Sequence, residues 1–153
     1  MTSKRSAGIL LYRRKPHLEV FLIHPGGPFW EKKDAWSIPK GEYAPGEEPL
    51  AAARREFAEE TGAAVDGQFV ALGEIRQPSG KLVTAWAAEG DLDPATLVSN
   101  TCMVEWPPHS GRQIEIPEVD RGEWFSVDAA RSKIFKGQGT LLDRLEAYLA
   151  SLP

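Results

Sequence analysis

The chain has 153 residues and a net charge of −4, from 18 basic and 22 acidic side chains. This length fits one domain, 1–153, which can bury a core without disulfide staples; 42% hydrophobic and 26% charged residues give the balance of a globular protein. The charge leaves no electrostatic footprint for duplex nucleic acid, no apolar run nears the ~20 residues that span a bilayer, and the single cysteine, Cys102, cannot close an internal disulfide, which predicts a reducing, cytoplasmic setting.

In chain order, "SAGILLYRR" and "LEVFLIH" are apolar runs separated by "KPH" and predict two strands with a tight connection. The apolar core "AGILLY" is too short for a signal peptide. "PGGPFWEKKDAW" predicts a loop, "WSIP" a brief strand, and "KGEYAPGEEP" a second loop. From Pro49 to Thr61 the period changes: alanines and other good helix formers dominate, Pro49 suits the first turn and Gly62 the C-terminal stop. "GQFVALGEIRQ" and "KLVTAWAAEG" predict paired strands around "PSG". "TCMVEW" and "GEWFS" are further strands, and Cys102 within the first reads as core packing. "SVDAARSKI" predicts a short helix from about Ser126. "TLLDRLEAYLASL" predicts a terminal helix with Leu141, Leu142, Leu145, Tyr148, Leu149 and Leu152 on one face and Thr140 as its cap. The order of elements predicts an α/β fold, a mixed sheet with helices packed on it.

The central helix carries the chemistry. On a helical wheel, Leu50, Ala53, Phe57 and Thr61 form the packing face. Glu56, Glu59 and Glu60 share a narrow arc beside it at spacing i, i+3, i+4, with Arg55 at the edge. Such like charges repel, and the helix dipole disfavours anions toward this end. A solvated acidic face is the simplest reading of any charged helix. A carboxylate cluster without a lysine inside it is also a candidate cation site, and oxygen-only ligands select hard ions, Mg²⁺ first and Mn²⁺ as a substitute.

The spacing upstream is more specific. From Gly41 the chain reads glycine, five residues, Glu47, seven residues, then "REFAEETGA". This resembles the Nudix box, with Gly41, Glu47, Arg55, Glu56, Glu59, Glu60 and Gly62 at its fixed positions and Phe57 at its first hydrophobic one; Ala63 is smaller than usual at the last. The resemblance implies an α/β/α sandwich with a mixed central sheet, a catalytic loop-helix and a C-terminal helix. It also implies a Mg²⁺-dependent pyrophosphohydrolase that cleaves a nucleoside diphosphate linked to another moiety. On it, Glu56, Glu59, Glu60 and the Gly41 carbonyl are metal ligands, Arg55 orients the glutamates, and Glu47 braces loop and helix. The catalytic base is then Glu56, Glu59 or Glu118, the last in "IPEVDRGEWF", with Glu115 as a further candidate.

"WSIPKGE" resembles a segment of relatives that take dinucleoside polyphosphates, which makes Lys40 a phosphate contact and Trp36 a substrate-binding candidate; Lys136 in "IFKGQG" is a second phosphate candidate. Trp30, Trp36, Trp86, Trp106 and Trp124 include candidate base-stacking platforms, although core packing explains any single one as well. His17, His24 and His109 lack metal-ligand spacing and read as structural or surface residues. The resemblance implies small-molecule nucleotide substrates, dinucleoside polyphosphates or nucleoside triphosphates first, and a monomer or homodimer with no membrane partner. ADP-sugars are less expected, because relatives acting on them often carry extra N-terminal strands. The alternatives are a nucleotide-sensing Nudix module without catalysis and removal of pyrophosphate from RNA 5′ ends.

Overall fold

Residues 5–13 alternate two apolar sets, Ala7, Ile9 and Leu11 against Leu10 and Tyr12. In the computed structural model, which describes residues 4–153, they form strand β1 (Arg5–Arg13), and both sets are buried on opposite faces. A strand buried on both faces has to lie inside a sheet covered above and below. β1 pairs in parallel with β5 (Leu82–Glu89) on one side. On its other edge it pairs antiparallel with β2 (Glu19–Pro25) near its C-terminal end and β3 (Lys40–Glu42) near its N-terminal end. β4 (Phe69–Arg76) extends the sheet beyond β5, and β8 (Val119–Ser126) extends it beyond β2, giving the order β4-β5-β1-β2-β8. β6 (Thr101–Glu105) and β7 (Gln113–Pro117) form a separate antiparallel hairpin.

Helix α1 (Pro49–Thr61) covers one face, packing Ala52, Ala53 and Phe57 on Ala7, Ile9, Phe21 and Ile23. Helices α2 (Val127–Lys133) and α3 (Gly139–Ala150) cover the other, where Val127, Ala130, Leu141, Leu142 and Leu145 meet Leu10, Val20, Leu22, Val83 and Phe125. This is the α/β/α sandwich with a mixed sheet and a C-terminal helix that the sequence implied.

The structure departs from the sequence reading at several points. "KGE" is a short strand rather than loop, because its backbone completes the edge of β1. β7 was not predicted; its apolar residues, Ile114 and Ile116, are only half-buried. "WSIP" is no strand but two isolated bridges, Ile23 to Ser37 and Trp36 to Ile134. α3 begins one residue before Thr140 and has no side-chain cap; Leu152 lies beyond it and is exposed. Ser126 does cap α2, accepting from the Ala129 amide. Cys102 is not core but half-buried, at the wall of a surface cavity.

Candidate active site

Helix α1 is held at both ends. The Glu48 carboxylate accepts from the amides of Leu50 and Ala51, at 3.2 and 3.0 Å, and so caps the N-terminus ahead of Pro49. Gly62 takes a left-handed conformation with φ 78°, and its amide closes on the Ala58 carbonyl at 2.8 Å. Between these caps Glu56 and Glu60 fall on the buried side of the helix and turn toward β3. They lie within the packing surface, deeper than the wheel suggested. Glu60 Oε1 accepts from the Lys40 amide at 3.0 Å. Gly41 lies against the carboxylate of Glu56 so closely that a Cβ there would fall 2.1 Å from it. The glycine is therefore required by close approach, whatever its φ.

Glu118, between β7 and β8, arrives at the same place by a backbone relay. The Asn100 amide donates to the Glu59 carbonyl, the Glu118 amide donates to the Asn100 carbonyl, and the Gly26 amide donates to the Glu118 carbonyl, at 2.8, 2.8 and 3.0 Å. Residues 98–100 thus strap Glu118 to the end of α1; the Val98 amide also bonds the Thr61 carbonyl. One carboxylate oxygen each from Glu56, Glu60 and Glu118 lies within 4.8 Å of the others. Glu59 does not join this group. Its side chain is one-third exposed and held by Arg55 at 3.3 Å. Arg55 also grips Glu47 through two nitrogens, at 3.1 and 3.2 Å, and Glu56 at 2.9 Å, so one guanidinium links three carboxylates.

The cluster is electrostatically unrelieved. Burial pushes the Glu60 carboxyl up to about 8, against the opposing pull of the Lys40 amide and ammonium. Glu56 and Glu118 are raised as well, first by burial and then by the Glu59 charge. Lys40 is lowered by burial and by neighbouring Lys81. Three converging carboxyls that each resist ionisation, with oxygen as their only donor atom, fit a hard divalent cation, whose charge would offset their repulsion.

Two cavities open beside the cluster. One, about 290 Å³, is lined by Lys40, Lys81, Gln77, Ser37, Glu60 and Phe135; the other, about 410 Å³, lies under the β6–β7 hairpin. They share Pro25, Trp30 and Glu118. Lys40, expected from the sequence to contact phosphate, lines the first cavity. Trp36 does not: it is 3% exposed, packed edge-on against His24 and Phe125, with its indole N–H on Asp34, and offers no face to a substrate. Lys136 is exposed in the turn between α2 and α3, outside the lining of both cavities. Lys81 lines the first cavity together with Lys40. The sequence reading missed Lys81 and Gln77 because they flank the β4–β5 turn, far from any motif, and only the strand pairing brings them here. His24 is fully buried under the loop before Trp36, with its ring nitrogens 2.8 Å from Asp120 Oδ1 and 2.6 Å from the Lys33 carbonyl.

A family profile described as NUDIX domain matches residues 2–145. The chain belongs to the Nudix family. An 8-oxo-(d)GTP phosphatase of Mycolicibacterium smegmatis is 32% identical over 145 residues, which is 85% of this chain and 37% of that protein; the chain spans little more than a third of that relative's length. Among solved structures, an Ap4A hydrolase of C. elegans in a binary complex superposes with a TM-score of 0.70 at 23% identity, over 96% of this chain and 99% of the other. The NUDIX domain of Shewanella oneidensis NrtR, complexed with ADP ribose, superposes at 0.68 with 13% identity, over 97% and 90%. At these identities the superpositions establish the Nudix fold.

Proposed function

We propose that this chain is a divalent-metal-dependent pyrophosphohydrolase that cleaves a phosphoric anhydride bond of a nucleotide by attack of water on phosphorus. The observation that carries this is the convergence of Glu56, Glu60 and Glu118 at the mouth of a cavity bearing Lys40 and Lys81. Acid for a cation and base for phosphate stand side by side. Glu56, Glu60 and Glu118 would hold the ion, Mg²⁺ first and Mn²⁺ as a substitute, with the Gly41 carbonyl and Glu59 as further donors. Such an ion neutralises phosphate charge and acidifies a bound water. Arg55 and Glu47 keep the Glu56 carboxylate aimed. Lys40 and Lys81 receive the phosphates. What supports Glu118 as the base is its position as the one carboxylate of the cluster that borders both cavities. Glu59, at the rim, and Glu56 are the other candidates.

Dinucleoside polyphosphates and nucleoside triphosphates are the leading substrates. The "WSIPKGE" segment favours the first; the relative named as an 8-oxo-(d)GTP phosphatase favours the second. The deciding experiment incubates the protein and Mg²⁺ with diadenosine tetraphosphate, nucleoside triphosphates, 8-oxo-dGTP, ADP-ribose and 5′-triphosphorylated RNA, and resolves the products. The expected result is turnover of one of the first three. RNA turnover alone would reassign the substrate, and no turnover of any would make the chain a binding module. In the active reaction Glu118→Gln lowers kcat at least about a hundredfold. A loss below tenfold would return the base to Glu59 or Glu56.

A further inference from the structure

The reaction described above assigns no part of the substrate to the larger cavity, yet its walls are specific. It is bounded by the 25–30 loop with Phe29 and Trp30, and by the β6–β7 hairpin with Cys102, Val104, Trp106 and Ile116. Its only charged lining residues are Glu105 and Glu118. Glu105 is already engaged, accepting from the amides of His109 and Gly111 at 2.9 and 3.2 Å. No lysine or arginine lines the cavity; the nearest ammonium, Lys33, is engaged with the Phe29 and Trp30 rings, at 3.3 and 5.1 Å from their centroids, whereas the neighbouring cavity is lined by Lys40 and Lys81 and suits phosphate better. A volume of about 410 Å³ lies in the range of small-molecule sites.

The walls are also fixed in advance. A Cβ on Gly26 would fall 2.0 Å from the Pro117 carbonyl oxygen, and one on Gly27 would fall 2.5 Å from Ile116 Cδ1, so the loop backbone rests directly on β7. Trp30 stacks on Phe135 at a centroid distance of 5.4 Å and meets Phe29 edge-on at 5.0 Å. His24 ties the following loop to Asp120. An aromatic-walled pocket with no basic lining residue, joined to a metal and phosphate site through Glu118, matches one end of a nucleotide.

We propose that the cavity under the β6–β7 hairpin binds the nucleobase of the substrate, with Trp30 and Trp106 as its aromatic walls and Cys102, Val104 and Ile116 as the residues that set its shape. The base enters from the hairpin side, and the phosphate chain runs past Glu118 to Lys40 and Lys81. This inference rests on the hydrolase reading for its substrate, but its test does not need turnover.

Cys102 is the only thiol in the chain and lines the cavity, so it reports occupancy directly. Alkylation of Cys102 by iodoacetamide is followed by mass spectrometry in EDTA with AMP, GMP or ribose 5-phosphate. AMP or GMP slows modification severalfold, and ribose 5-phosphate, which lacks a base, does not. In Trp106→Ala that protection is lost. Val104→Phe fills the cavity without emptying the hairpin and has the same effect, so poor folding of the first variant leaves the test intact. With an active substrate, both variants raise KM at least about tenfold, the scale of a lost aromatic stack, while kcat holds within about threefold. Absence of protection by either nucleotide, equal protection by ribose 5-phosphate, or protection that survives both variants would each overturn the assignment. Failure to hydrolyse any substrate would defeat the hydrolase reading alone, because the alkylation result stands apart from it.

Discussion

Gly41 and Glu56 show how narrow the tolerances of the cluster are. Gly41→Ala puts a methyl into the Glu56 carboxylate, but the atoms it meets are the far end of a flexible side chain. The expected outcome is a protein with nearly unchanged thermal stability and a turnover reduced by about a hundredfold or more, because Glu56 swings off the cation site. Circular dichroism melts and single-turnover rates separate the two effects. Glu60 sets the pH dependence. Its carboxyl, held up near 8 by burial, is largely protonated in the metal-free protein at neutral pH. Cation binding needs the ionised form, so the apparent affinity for Mg²⁺ climbs about tenfold per pH unit as pH rises toward 8 and levels off above it. The same raised value means that the folded apoprotein binds more protons than the unfolded chain between the ordinary carboxyl range and 8. Apoprotein stability from this group is therefore full at acid pH and is lost as pH rises through 8. Glu60→Gln flattens both slopes to the smaller parts that Glu56 and Glu118 contribute, which isothermal titration with Mg²⁺ and melts across pH in EDTA measure directly.

At the scale of the element, α1 performs two tasks with adjoining stripes. Ala52, Ala53 and Phe57 pack on the sheet, and Glu56 and Glu60 on the next stripe face β3. Its C-terminal end is joined to Glu118 through the 98–100 strap. Gly62→Ala forces a side chain into the left-handed region at a cost of about 1–2 kcal/mol, and its Cβ would meet the Val98 carbonyl at 3.0 Å. The melting temperature falls by several degrees. Since Asn100 also carries Glu118, activity falls by more than the fraction unfolded explains, and comparing residual rate with folded fraction at 25 °C tests that coupling. The hairpin β6–β7 makes no ladder with the main sheet. It can therefore vary in sequence without loss of the core, as expected of an element that shapes a cavity.

Across the whole molecule, apolar side chains pack directly on both faces of the sheet, and Glu56 and Glu60 are buried beside the α1 core rather than inside it, so the packing does not depend on a bound cation. Removing divalent ions with EDTA leaves a cooperatively unfolding protein. Adding Mg²⁺ at a hundredfold excess over its Kd raises stability by about 2.7 kcal/mol through mass action. Glu56→Gln abolishes that rise, and a melt shifted equally by Mg²⁺ in wild type and variant would place the ion elsewhere. No helix among the described residues is long and apolar enough to cross a membrane.

The sequence by itself determined α1 to the residue, both of its flanking punctuation marks, the alternating strands and the box that names the family. These are local signals: helical periodicity, a proline, a left-handed glycine and fixed spacing along 23 positions, Gly41 to Ala63. Only the tertiary structure decided that Glu118 joins Glu56 and Glu60 while Glu59 stays at the rim, that Lys81 rather than Lys136 lines the cavity beside Lys40, and that Trp36 is core while Trp30 borders two cavities. Each of those outcomes depends on strand pairing or on the strap between residues far apart in the chain. A carboxylate, a lysine or an indole carries no sign along the sequence of which surface it will face. The physical reason is that helix periodicity is written in near neighbours, whereas burial and convergence are properties of the closed sheet.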